Sequence, residues 1–416
     1  MKKKRFGLLS RVVLAIVLGV AFGLFVPAPV VRGVNTLVEL IGQLIKYLVP
    51  LIIVGLVAPA IAETGHGAGK LLLVTVAIAY GSTLFAGFLG YFVSAATFPS
   101  LVSAEASQVA CEAVQEFQPY VKIPIPPLMD VMSALVFSFM LGLGMVFTEC
   151  DALKRVFSDF RAVIVRTISG MLVPLLPLFI FGVFLDMTAA GKAGRILVDF
   201  AAIIAVFSAL TLVVIVIQYC VAGIVARKNP FKAMWKMFPA YMTALGTSSS
   251  AATIPVTRAQ TLANGVSREI ADFTVPLCAT VHLAGSTVKI VSCAVALLLV
   301  AGRGADVSVS TFAGFIAMVG IMMIAAPGVP GGAIMAALGP LESILGFDQS
   351  QNALMIALYL ATDSIGTACN IAGDGAIAIV VDKMFGTSRK TSCEIGKEEQ
   401  GMETGNESRG TRDLTR

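Results

Sequence analysis

A chain of 416 residues that is 57% hydrophobic and 13% charged, with a mean hydropathy of +0.89, has too little polar surface to face water on all sides. A soluble globular protein is therefore excluded, and the usual prior of one domain per about 150 residues does not apply to a membrane bundle. The net charge of +5 is not a nucleic-acid signature, because the basic residues lie in short clusters between apolar stretches: Lys2-Lys3-Lys4-Arg5, Lys154-Arg155, Arg227-Lys228 and Lys232/Lys236. That pattern predicts loops on the cytoplasmic side of a membrane.

In chain order, spans of about 20 apolar residues are expected near Leu8–Val26, Leu37–Ala62, Leu71–Ala96, Met129–Phe147, Ala162–Leu185, Ile196–Ala226, Ile270–Ala301 and Gln351–Val381. The first has a basic start and an apolar run, as a signal peptide has. No convincing cleavage site follows, so a first spanning helix is expected. The loop from Leu101 to Lys122 carries Glu105, Glu112 and Glu116 and reads as external. The seven cysteines are scattered without a CxxC: Cys111 is alone in that acidic loop, while Cys220, Cys278, Cys293 and Cys369 lie in apolar segments. Neither a disulfide framework nor a zinc site is expected from this spacing. From Thr387 onward the chain is polar and of mixed charge, which predicts a disordered tail.

Two segments do not fit a simple ladder of spans. Phe231–Asn264 carries Gly246-Thr247-Ser248-Ser249-Ser250-Ala251-Ala252-Thr253-Ile254-Pro255 at its centre, and Ser310–Leu345 carries Pro327-Gly328-Val329-Pro330-Gly331-Gly332 in the same place. Irregular backbone at membrane depth survives only where protein or a water-filled cavity encloses it. The expectation is two helical hairpins that enter the membrane and turn back, each preceding a long helix. Paired, interrupted segments of this kind point to a solute site at the interface of inverted repeats. The fold class is thus an all-α polytopic membrane protein with eight transmembrane helices and two re-entrant hairpins.

The eighth span holds the strongest polar pattern. At about 100° per residue, Asp363, Thr367, Asn370 and Asp374 fall on one helical face. Carboxylates in hydrocarbon must face a cavity, a cation or each other. A carboxylate suits a solute ammonium, whereas Asn and Thr suit a solute carboxylate. Hard oxygen ligands would suit Na⁺ and a shifted titration would suit H⁺; the residues alone leave both open. In the seventh span, His282 and Lys289 are seven residues apart and are expected nearly above one another. Lys289 lies too near mid-span to snorkel and is expected to pair with Asp363, Asp374 or a hairpin carbonyl. The Ser248–Ser250 run places hydroxyls and backbone N–H groups where a half-helix begins, a setting that favours a carboxylate.

Taken together, these motifs resemble the dicarboxylate/amino acid:cation symporter family, which includes archaeal aspartate and human glutamate transporters. The likeness covers about Leu8 to Phe385. It is carried by Ser248-Ser249-Ser250-Ala251-Ala252-Thr253-Ile254-Pro255, Val275-Pro276-Leu277-Cys278-Ala279-Thr280, Gly328-Val329-Pro330-Gly331 and Asp363-x3-Thr367-x2-Asn370-x3-Asp374. The resemblance implies a homotrimeric, elevator-type carrier in a bacterial inner membrane, with both termini cytoplasmic. Residues 1–70 would form scaffold helices 1 and 2 and residues 71–100 the mobile helix 3. Residues 101–190 would hold the external loop and scaffold helices 4 and 5, residues 191–386 the mobile core, and 387–416 a disordered cytoplasmic tail.

It also implies a solute site of Ser249, Ser250, Gly328, Val329, Asp363, Gly366, Thr367 and Asn370. One Na⁺ would be held by Asn370, Asp374 and carbonyls near Cys278 and His282; another by carbonyls near Thr280 and around Met323, Ile324 and Ala326. No organic cofactor and no nucleic-acid partner are implied. The departures matter as much. Carriers of acidic solutes in the family have Arg where this chain has Gly366. The family pattern Asn-Met-Asp-Gly-Thr is here His282-Leu283-Ala284-Gly285-Ser286. Without an Asp at Ala284, a third Na⁺ site keeps only hydroxyls such as Ser82 and Thr83; Ser286 and Lys289 are further polar residues inside the membrane. A small neutral amino acid is therefore the expected cargo. The alternative is an H⁺-coupled acidic amino acid or dicarboxylate with Lys289 as the compensating charge, and a passive channel is a more distant one. No nucleophile–base pairing of an enzyme is visible.

Overall fold

The computed structural model describes residues 8–65, 70–101, 117–148, 150–191, 193–326 and 330–385. The clusters Lys2–Arg5, the acidic loop with Cys111, the hairpin centre Pro327–Val329 and the tail from Thr387 lie outside them. No strand occurs among the described residues. A chain this apolar has to satisfy each backbone N–H and C=O within its own segment, which helices do.

The chain runs through α1 (Leu8–Gly23), α2 (Ala28–Gly65), α3 (Lys70–Leu101), α4 (Val131–Phe147) and α5 (Asp151–Thr167). A π-helical turn, Ile168–Leu172, joins α5 to α6 (Val173–Ala189) without a break. Next come α7 (Ala193–Ala226), α8 (Pro230–Lys236), α9 (Phe238–Thr247), α10 (Ser250–Ala263), α11 (Arg268–Val281) and α12 (Ala284–Val300). The last are α13 (Val309–Ala325), α14 (Gly332–Ser343), α15 (Gln349–Ala361) and α16 (Asp363–Phe385). By length and composition, six stretches can cross a membrane: Ala28–Ala62, Lys70–Leu101, Asp151–Ala189, Asp199–Ala226, Arg268–Val300 and Asp363–Phe385. Shorter apolar helices lie at Ser10–Gly23, Val136–Phe147 and Val309–Ala325. The chain is a multi-pass membrane protein.

Both breaker-rich segments form helix–turn–helix pairs. α9 packs on α10, and α13 packs on α14. The first turn places Ser248 in the left-handed region at φ 49°, and Ser249 caps α10 by accepting the Ala252 N–H at 3.3 Å. The second enters α14 through Gly331 at φ 76°, a backbone region glycine adopts without a Cβ clash.

α12 is the axis of the molecule. Every residue from Ala284 to Leu298 is buried, with α3, α7 and α15 packed around it. A helix enclosed on all sides faces protein rather than lipid, so its polar groups answer to neighbouring helices.

Several expectations change. The seventh span is not one straight helix: it stops at Val281, and His282 is extended at φ −105° and ψ 99° before α12 starts. His282 and Lys289 therefore do not share a helical face. The eighth span is likewise interrupted, at Thr362. Lys154-Arg155 lie on α5 and Lys232/Lys236 on α8, not in open loops, because α5 alternates charge with an apolar stripe that packs on α2.

Candidate functional site

Each helix break frees backbone groups, and a polar side chain from another segment meets them. Where α11 stops and α12 begins, the first N–H groups of α12 lack intrahelical partners. Asn370 Oδ1 accepts two of them, from Gly285 (2.8 Å) and Ser286 (3.3 Å). The same amide donates through Nδ2 to Ser286 Oγ at 3.1 Å. Asn370 thus acts as a cap reaching across from α16.

The break at Thr362 gives a carbonyl end of α15 and an N–H end of α16. These ends favour a cation and an anion respectively, and that is how Lys289 and Asp363 are placed. Lys289 Nζ donates to the Tyr359 carbonyl at 3.2 Å and lies 3.6 Å from the centre of the Tyr359 ring. The Tyr359 hydroxyl donates to Ser286 Oγ at 3.0 Å, which fixes the ring. Asp363 opens α16. Its Oδ2 accepts the Gly331 N–H at 2.9 Å, and its Oδ1 stands 4.0 Å from Lys289 Nζ. One carboxylate thereby links the second helix–turn–helix to α12.

Gly366 sits behind this group. A Cβ there would come 3.3 Å from Lys289 Nζ and 3.4 Å from the Gly285 carbonyl. Gly285 is tighter still, with a Cβ meeting the Gly366 carbonyl and the Cys369 Cβ at 2.5 Å each. α12 and α16 are in backbone contact here, and only glycine at 285 allows it.

One helical stretch further on, Asp374 Oδ1 accepts from His282 Nδ1 at 2.9 Å, both side chains being fully buried. His282 Nε2 lies 3.2 Å from Ser82 Oγ on α3 and 3.2 Å from Gln218 Nε2 on α7. Gln218 Nε2 also donates to Ser82 Oγ at 2.9 Å. Of the partners expected for Lys289, then, the structure gives Asp363 and the Tyr359 carbonyl; Asp374 goes to His282.

The remaining sequence-predicted residues divide. Thr367 is buried and its hydroxyl donates to the Asp363 carbonyl at 2.9 Å. Ser249 and Ser250 stand at the first turn, Ser250 buried. Cys278 gives its carbonyl to the His282 N–H, the Thr280 hydroxyl donates to the Leu277 carbonyl, and the Met323 carbonyl accepts the Ala326 N–H at 3.3 Å. Ile324 lies partly buried beside them. Gly328 and Val329 fall outside the described residues. Tyr359 and Gln218 were not picked out from the sequence, although each is a polar group in an otherwise apolar run. A cavity of about 470 Å³, lined in part by Lys46, Glu342 and Asn352, lies between α2 and the α14–α15 turn. It does not include Asp363. The convergence of helix ends, not cavity size, marks the chemical centre.

Known proteins resemble the chain in sequence. The sequence pattern of the sodium:dicarboxylate symporter family matches residues 8–384. The serine/threonine transporter SstT of Acinetobacter baumannii (strain ATCC 17978) is 25% identical over 397 residues, covering 91% of this chain and 97% of the relative. SstT of Streptococcus thermophilus (strain CNRZ 1066) is 26% identical over 405 residues, covering 91% and 96%. Excitatory amino acid transporter 1 of Rattus norvegicus is 27% identical over 271 residues, 63% of this chain and 49% of the relative. These relatives are transporters, not enzymes. With the family pattern spanning nearly every described residue, the chain belongs to the sodium:dicarboxylate symporter family.

Proposed function

We propose that the chain is a secondary active symporter that imports a small neutral amino acid with Na⁺. The observation that carries this reading is Asp363, a buried carboxylate that joins Gly331, Lys289 and the start of α16. A carboxylate at meeting helix ends is suited to a solute ammonium, and movement of the second helix–turn–helix would make or break its contact. Carriers commonly form such sites from discontinuous helices. The names of the full-length relatives, serine/threonine transporters, support a neutral cargo, as does Gly366 with no side-chain charge of its own. The family's name supports sodium.

The carrier works as a homotrimer in the bacterial inner membrane by an elevator movement. The scaffold comprises 1–70 and 101–190, the mobile part 71–100 and 191–386. Both helix–turn–helix pairs are re-entrant hairpins, the second being the external gate. Ser249, Ser250, Thr367 and Asn370 assist Asp363 in holding the solute.

A second reading is favoured by one observation: Lys289 Nζ stands beside Gly366, where it supplies positive charge to an acidic amino acid or dicarboxylate. Uptake by reconstituted protein separates the two. The first expects concentrative, Na⁺-dependent serine or alanine uptake. Strong aspartate or succinate uptake without serine uptake supports the second, and downhill flux alone would mean a channel.

A further inference from the structure

His282 is one of the positions at which this chain departs from the family pattern it resembles. The extended backbone at 282 turns the imidazole out of the helical spiral, and the ring then spans the gap between α3 and α16. Nδ1 faces Asp374 Oδ1 at 2.9 Å, and Nε2 faces Ser82 Oγ and Gln218 Nε2 at 3.2 Å each. This is the gap in which the resemblance leaves Ser82 and Thr83 as remnants of a third sodium site.

A hard cation requires several oxygen acceptors converging on one point. Those at hand point to their own helix or hold the ring. Thr83 Oγ1 donates to the Ala79 carbonyl in its own helix at 2.9 Å. Ser82 Oγ accepts the Gln218 amide. Residue 284 is alanine and brings no oxygen. Asp374 Oδ1 faces the ring nitrogen, which leaves Asp374 Oδ2 and Gln218 Oε1 as buried oxygens without a hydrogen-bond partner among the described residues. With the imidazole occupying the space between Ser82 and Asp374, two oxygens are not a cage, and the residues present do not fit a sodium ion there.

We propose that the imidazole of His282 is a resident substitute for one coupling cation, filling the space between Ser82 and Asp374 so that no Na⁺ binds there. What matters is the space the ring fills, which is the same for the neutral and the charged imidazole. The proposal rests on the symporter reading above and adds that the carrier moves at least one Na⁺ fewer per solute than a relative with an oxygen-bearing side chain at residue 284.

Equilibrium binding of radioactive sodium to the purified full chain, counted per protomer, tests this. Ser82→Ala is expected to keep Na⁺ affinity within about twofold of the parent. The double variant His282→Asn/Ala284→Asp, which returns oxygens to the gap, is expected to bind one further Na⁺ per protomer. A tenfold or greater loss of Na⁺ affinity in Ser82→Ala overturns the proposal, as does a folded double variant with an unchanged sodium count. If the double variant does not fold, the Ser82→Ala titration decides alone. Failure to take up any amino acid or dicarboxylate would instead sink the transport reading, while the sodium counts would still report on His282.

Discussion

Asp374 and Asp363 are carried by one helix, and both meet a basic residue from the seventh span, yet the two pairs are built differently. His282 and Asp374 are in direct contact at 2.9 Å, with neither side chain exposed and the ring held at its far end by Ser82 and Gln218. Lys289 and Asp363 stand 4.0 Å apart, with the Asp363 side chain 10% exposed. Their contacts are shared: the ammonium with a carbonyl and a ring, the carboxylate with the Gly331 N–H. A ring clamped at both ends has one arrangement. A long ammonium resting between alternatives has several, and can yield its carboxylate to another partner. The difference separates a pair that locks helices together from a pair that can exchange.

The most severe test of that distinction is Asp363→Asn. Removing the exchangeable charge is expected to lower amino-acid uptake by about 100-fold, the order set by losing a charged hydrogen bond to the solute. Uptake within a few-fold of the parent would refute the role proposed for Asp363. His282→Ala addresses the other pair and strands Asp374 without its partner, a loss of about 3 kcal/mol, the upper end for a buried acceptor left unsatisfied, read as a lowered melting temperature in detergent. Lys289→Met is expected to cost less, about 1–3 kcal/mol, because Asp363 keeps the Gly331 N–H and some access to water; it should instead change which solutes are carried. If Lys289→Met destabilises more than His282→Ala, the contrast between locked and exchangeable pairs is wrong. Ser249→Ala is the mildest change. It removes a helix cap worth about 1 kcal/mol and should weaken solute affinity several-fold while leaving the melting temperature nearly unmoved.

Much of this was legible in the residues. Composition alone required a membrane bundle, and the Ser-rich and Gly-Pro-Gly runs marked the turns between α9 and α10 and between α13 and α14. The 363–367–370–374 spacing selected one face of α16, and that face does turn inward to Lys289, Ser286 and His282. The break at His282–Leu283 was not legible, since Val281-His282-Leu283-Ala284 contains no proline or glycine. The unwinding is held by a distant residue, Asn370, which caps the freed N–H groups of α12. Nor was the pairing of bases with acids legible, because it depends on which helix ends meet. Tyr359 escaped notice for a related reason: its carbonyl matters only because the helix stops at Thr362.

The near-contact of Gly366 with Lys289 has an engineering consequence. A Cβ at 366 would come 3.3 Å from the end of the flexible Lys289 side chain, so a larger side chain there crowds the ammonium. A second positive charge brought in from the eighth span would lie against the one from the seventh and be repelled by it. An arginine introduced at 366 should be tolerated only together with a small residue at 289, and swapping the two charges between the spans is the natural unit of redesign.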